Sequence, residues 1–130
     1  MIGNELRVTS TLDAPAAIGP YSQAIVVGEI VYCSGQLPLD PATGSVVDGN
    51  IRIQAEQVLQ NLSAVLRASG SSLERVVRTT VYMMTLSDFE EMNSVYDRFF
   101  TPHKPARVTV EVSRLPKDAA VEIDCIAAVG

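Results

Sequence analysis

The chain has 130 residues, 47% hydrophobic and 19% charged, and carries a net charge of -5. This composition suits one globular domain with a sizeable core and is too apolar for a disordered chain. With an acidic balance and no run of Lys and Arg, it argues against a broad nucleic-acid surface, because neutralising phosphates needs clustered cations.

The amino terminus, MIGNELRVTS, lacks a basic start followed by an apolar run, so no signal peptide is expected. No apolar stretch is long enough to span a bilayer, and a soluble, cytoplasmic protein is the expectation. Leu6 to Thr11 reads as an edge strand. Residues Asp13 to Tyr21 contain Pro15, Gly19 and Pro20 and read as a loop. Ser22 to Val27 and Ile30 to Ser34 flank Gly28-Glu29, a two-residue hairpin turn. Leu37 to Gly49, with Pro38, Pro41, Gly44 and Gly49, is mostly loop.

Asn50 is a good N-cap for a helix that ends near Ser69, with Gly70 as its stop. Ala55, Val58, Leu59, Leu62, Val65 and Leu66 recur at three- and four-residue spacing and form one apolar stripe. Ser71 and Glu74 have capping-box spacing for a short turn, and Val76 to Met84 reads as a strand. A second capping-box pair, Ser87 and Glu90, opens a helix with Phe89, Met92, Val95, Tyr96, Phe99 and Phe100 on its apolar face. Thr101 and Pro102 end it. Strands from Ala106 to Val112 and from Val121 to Val129 close the chain. The expected order is β-β-β-α-β-α-β-β in a single α+β domain. Two helices cannot cover both faces of such a sheet, so they should pack on one. The other face would meet solvent or another subunit. On it, Ile126 and Ala128 share parity with Glu122 and Asp124, and Val76 and Tyr82 share parity with Arg78 and Thr80. That mixture suits a subunit interface better than open water.

The last two strands carry the densest chemistry. Alternation puts Arg107, Thr109 and Glu111 on one face of the first, opposite Val108, Val110 and Val112. On the second, Glu122 and Asp124 lie opposite Val121, Ile123 and Cys125. The expectation is a guanidinium and several carboxylates on the same side of one sheet, suited to holding a small carboxylate and moving a proton beside it. On the residues alone two readings stand open. One is this site; the other is a solvated face on which Arg107 pairs with Glu111, Glu122 or Asp124. Cys33 and Cys125 lack CxxC spacing and read as buried reduced thiols. One histidine, His103, and two scattered cysteines are too few for a zinc site.

Five motifs occur in order: IGPYSQA (Ile18 to Ala24), CSGQLPLD (Cys33 to Asp40), the PAR segment with its VEV tail (Pro105 to Val112), RLPKD (Arg114 to Asp118) and VEID (Val121 to Asp124). Together they resemble the RidA family, also called YjgF, of enamine/imine deaminases, over about Ala14 to Ala128. The resemblance implies a chorismate-mutase-like mixed sheet and a homotrimer with pockets between subunits. It implies hydrolysis of 2-iminopropanoate and 2-iminobutanoate to 2-keto acids and ammonia, without metal or cofactor. By the same resemblance Arg107 binds the substrate carboxylate and Glu122 places the water. Tyr21, Ser34, Gly35, Asn93 and Thr109 line the pocket, and main-chain groups near Gly35 and Thr109 are placed to bind water or the amine.

Thr109 departs from the pattern, since many relatives carry Cys there, and a thiolate nucleophile at this position is not expected. The loop Thr101 to Lys104 is short beside some relatives. Two other classes of function stay in view. One is an RNA-acting translation inhibitor or endoribonuclease. The other is a non-catalytic metabolite sensor or holdase-like protein. A lone histidine and an acidic surface supply little of the paired acid-base chemistry and phosphate binding that RNA cleavage needs.

Overall fold

Residues 5–130 are described by a computed structural model; residues 1–4, on which part of the reading of the amino terminus rests, lie outside the described residues. The chain forms β1 (Leu6–Thr9), β2 (Ala24–Val27), β3 (Ile30–Gln36), α1 (Ile51–Ala68), β4 (Val76–Met83), α2 (Phe89–Phe99), β5 (Ala106–Glu111) and β6 (Val121–Ala128). The six strands make one sheet in the order β1-β2-β3-β6-β4-β5. Neighbours are antiparallel except β4 and β5, which run parallel. A parallel pair cannot be joined by a tight turn, and α2 supplies the crossover. The result is the expected α+β arrangement, a mixed sheet with two helices on one face.

Period-two burial builds the core. Ala24, Val26, Val31, Cys33, Val81, Met83, Val121, Ile123, Cys125 and Ala127 point to the helix side and are buried. The stripe of α1 lies on them, with Val58, Leu59, Leu62, Val65 and Leu66 fully buried. Met92, Val95 and Tyr96 of α2 complete the layer. At the start of α1 the Asn50 side chain accepts from the backbone N–H groups of Arg52 (3.0 Å) and Ile53 (3.2 Å). Gly70, at φ 82°, ends the helix in the left-handed conformation that glycine adopts without a Cβ clash. Buried Asn61 donates to the carbonyls of Leu37 and Leu39, which pins the long loop to α1.

Three local expectations are corrected. Ser71 does not cap the turn at Leu73–Arg75; its hydroxyl donates to Ala128 O at 2.6 Å, a tertiary partner that outcompetes the local one. Ser87 and Glu90 form no capping box, because a 3-10 turn at Leu86–Asp88 precedes α2 and Thr85 accepts from Ser87 N instead. Val76 is not on the open face. The β4–β6 register shifts between Val76 and Arg78, so Val76 turns into the core and Val77 stands exposed.

Replacing Asn50 with Ala strands two helix-terminal donors. The expected cost is about 1 kcal/mol, seen as a lower urea midpoint with an unchanged m-value.

Candidate active site

The two ends of the proposed chemistry are built on different elements. Arg107 sits on β5, at the edge of the sheet, in register with Thr79 of β4. Thr79 is fully buried under α2, so Arg107 also points to the helix side. There its Nη1 donates to Asn93 Oδ1 at 2.7 Å. Its Cζ lies 4.7 Å from the centre of the Tyr96 ring and 5.6 Å from that of Phe89. A cavity of about 390 Å³ opens beside it, lined by Asn93, Tyr96, Asp97, Lys104, Pro105 and Arg107. The second cation of this cavity, Lys104, is already committed: Nζ is 2.7 Å from Asp97 Oδ1 and donates to Phe100 O at 2.6 Å. Among the described residues no carboxylate lies within ion-pair distance of Arg107. The solvated-face reading, in which Arg107 pairs with Glu111, Glu122 or Asp124, is therefore not what forms; Glu111 accepts from Leu86 N instead.

Glu122 belongs to the other half. It lies on β6 opposite Tyr82 of β4, on the sheet face away from the helices. The β3–β6 register shifts between Cys33 and Gln36, so two residues, Ser34 and Gly35, oppose Asp124 alone. That bulge brings the backbone of Gly35 against the Glu122 carboxylate so closely that any Cβ at position 35 would overlap it. Burial, and then the neighbouring Asp124, push the Glu122 carboxyl above its ordinary range. Asp124 itself accepts from Tyr82 Oη at 3.1 Å. Ser34 donates to Ser22 O at 2.6 Å, which fixes the loop immediately after the exposed Tyr21. A small recess of about 30 Å³ joins Tyr21, Gly35 and Gln36. Tyr21, Ser34, Gly35 and Glu122 thus gather on one side, and Arg107 and Asn93 on another.

The expected same-side placement of guanidinium and carboxylates is overturned. Within each strand the alternation is as read, but β4 lies between β5 and β6 and sets their phase. Arg107, Thr79 and Cys125 form one row across the sheet and point to the helices. Val108, Thr80 and Asp124 form the next row and point away. One chain therefore holds Arg107 and Glu122 on opposite faces. Thr109 shares the helix side with Arg107, in the row of Val81 and Ile123; its hydroxyl is buried and has no partner among the described residues.

The roles of four supporting residues escaped the sequence reading. Phe89 and Tyr96 flank the guanidinium, although their spacing reads simply as core. Buried Gln23 accepts from Thr11 N and donates to the carbonyls of Thr11 and Pro15, holding the loop under Tyr21. His103 binds Val76 O through Nε2 at 2.7 Å and holds the loop to β4. The cysteines are free, buried and opposite one another on β3 and β6. The Cys33 thiol, and then burial, push the Cys125 thiol up, so Cys125 does not suit thiolate chemistry. Among the described residues no cluster of His, Cys, Asp and Glu could hold a metal ion, and no helix is long and apolar enough to cross a membrane.

The family described as Endoribonuclease L-PSP matches residues 11–129. The chain belongs to the RidA (YjgF) family. A RutC family protein of Pyrococcus horikoshii is 52% identical over 121 residues, covering 93% of this chain and 96% of that protein. The crystal structure of RidA from an Antarctic Psychrobacter superposes with a TM-score of 0.91 at 44% identity, covering 95% of this chain and 99% of that one. Escherichia coli TdcF, solved with bound serine, gives 0.91 at 38% identity, with coverage of 95% and 99%. Membership of the RidA family fits a deaminase acting on enamines and imines, and the TdcF structure shows a small-molecule ligand on a related protein.

Two outcomes follow from the Glu122 half. Because the folded-state pKa of Glu122 lies above its ordinary value of 4.5, proton binding favours the fold below that value, and the contribution is lost as pH rises through the folded pKa. Glu122→Gln removes it, so the urea midpoint of the variant should gain on the wild type with rising pH, and the gain should vanish below about pH 4.5. In Gly35→Ala the new methyl pushes the carboxylate out of its half-buried position. Its pKa, read by NMR titration, should fall back toward the ordinary value.

Proposed function

We propose that this RidA-family protein hydrolyses 2-iminopropanoate and 2-iminobutanoate to the 2-keto acids and ammonia. The observation that carries the reading is Arg107, a positioned guanidinium with no carboxylate of its own, opening onto a cavity at the sheet edge. Its planar fork suits a substrate carboxylate held by two parallel hydrogen bonds. The carboxyl that completes the chemistry, Glu122, sits on the opposite face of the same sheet. A working site then takes Arg107 and Asn93 from one chain and Glu122, Gly35 and Tyr21 from a second copy. The open face supports such an assembly, since Val8, Tyr32, Val108 and Val110 stand exposed on it beside Glu122 and Asp124. The family resemblance makes the closed assembly a trimer.

The reaction balances simply. Water adds through oxygen to the imine carbon, and its proton passes by way of Glu122 to the nitrogen. The tetrahedral carbinolamine then expels ammonia and leaves the keto group. A carboxyl whose pKa is raised by burial is better matched to taking and returning a proton near neutrality. Imines already hydrolyse readily, so a fixed carboxylate and one placed water lower a modest barrier. Thr109 takes no covalent part, with its hydroxyl turned into the protein. The RNA-acting reading has less to stand on, because the one histidine is occupied by Val76 O and the chain is acidic.

The test couples a Ser/Thr dehydratase to the protein and follows imine decay. Arg107→Ala should abolish turnover, and Arg107→Lys should weaken 2-oxobutanoate binding by about 1–3 kcal/mol. Glu122→Gln should lose turnover and keep that binding. Co-refolding the two inactive variants should restore up to about a quarter of the sites, because an interface then pairs one intact Arg107 with one intact Glu122. Full activity in either variant, or in a monomer by light scattering, overturns the shared site. Binding that survives with no Glu122-dependent ammonia release would mark a metabolite sensor instead.

A further inference from the structure

Arg107 is held by more than its hydrogen bond. Phe89, Asn93 and Tyr96 stand at i, i+4 and i+7 on α2 and therefore share one face of the helix. Residues seven apart are separated by about 10.5 Å along a helix axis. The guanidinium carbon lies against both rings, 5.6 Å from the centre of Phe89 and 4.7 Å from that of Tyr96. Asn93 takes Nη1 in the gap. The inner ring is itself anchored. Tyr96 packs on buried Phe100 at a centroid distance of 4.5 Å, and its hydroxyl lies 2.7 Å from Thr79 Oγ1. A column thus runs from the core to the sheet edge: Phe100, Tyr96, the guanidinium and Phe89.

We infer that Phe89 and Tyr96, the latter braced by Thr79, are positioning residues that lock the plane and direction of the Arg107 guanidinium. This rests on the reading of Arg107 as the carboxylate anchor. With two rings against it and Asn93 on Nη1, the guanidinium keeps the remaining edge of its fork for a ligand. A carboxylate bound bidentate there lies in the plane of the fork. In a 2-imino acid the C=N bond is conjugated with the carboxylate and shares its plane. The clamp therefore fixes the imine plane as well, and the attack of water, which comes perpendicular to that plane, has a defined direction. A long flexible cation with free torsions would hold the charge but not the plane. The surroundings of Lys104 show the contrast: it has an ion pair and a backbone acceptor, and among the described residues no aromatic ring lies under it.

The experiment compares wild type, Phe89→Leu, Phe89→Trp, Tyr96→Phe and Thr79→Val in the full chain. Three measurements are made: calorimetric binding of 2-oxobutanoate, KM and kcat in the dehydratase-coupled assay, and NMR of rotation about the Arg107 Cζ–N bonds. Phe89 is only partly buried and packs at the margin of the core, so a urea midpoint for each variant separates lost packing from a lost clamp. Phe89→Leu should free the rotation, weaken 2-oxobutanoate binding by roughly threefold to thirtyfold and lower kcat as well as raise KM. Phe89→Trp should restore all three, which a merely space-filling role would not require of a second aromatic. Tyr96→Phe and Thr79→Val keep the ring but release its brace, and should speed the rotation with a smaller loss of affinity. If Phe89→Leu and Tyr96→Phe both keep wild-type rotation and affinity, the clamp is wrong. If wild type releases no ammonia, the deaminase reading fails alone, and the rotation measurements still decide the clamp.

Discussion

Strand β6 has hydrogen-bonded neighbours on both sides and one fully buried face, and its register governs everything else in the molecule. Val121, Ile123, Cys125 and Ala127 alternate with half-buried Glu122, Asp124, Ile126 and Ala128. A slip of one residue would drive two carboxylates into the core and four apolar side chains out of it. Burying an unpaired carboxylate costs several kcal/mol, so the register is strongly specified. Through β4 that same register sets the phase of β5, and so the side of the sheet on which Arg107 emerges.

That phase explains why the candidate site is divided. Around Arg107, α2 offers an amide oxygen and two rings in place of a carboxylate, which leaves its charge without an ion-pair partner among the described residues. Glu122 needs partial burial without a cation, and the Gly35 bulge provides it. Placed side by side in one chain, the two groups would neutralise each other in a salt bridge, lowering the carboxyl pKa and occupying the fork. Within one chain, separation by the thickness of a sheet keeps the fork free of that pairing and leaves the Glu122 carboxyl raised.

Several smaller features serve the same end. The hydroxyl of Ser34 and the side-chain amide of Gln23 tie down the segments on either side of Tyr21. His103 and Lys104 hold the turn before β5 to β4 and α2, so the edge strand enters at a set angle. Each of these groups limits the freedom of Tyr21 or of the edge strand that carries Arg107.

Much was legible in the sequence because it is local. Strand alternation, the α1 stripe, the Asn50 cap, the Gly28-Glu29 hairpin and the element order depend on residues within a few positions of one another. The family motifs marked Arg107 and Glu122 as a pair. Other features were not legible, because their causes are remote in the chain. Ser71 abandons its local cap for Ala128 O, 57 positions away. The bulge at Val76 to Arg78 exchanges a core position for an exposed one only because β6 demands it. Above all, a strand's own pattern shows which residues share its face but not which face of the sheet that is. Phase between strands is set by cross-strand pairing, so the amino-acid sequence determined the two residue sets of the candidate site, and only the tertiary structure decided that a single chain keeps them on opposite faces.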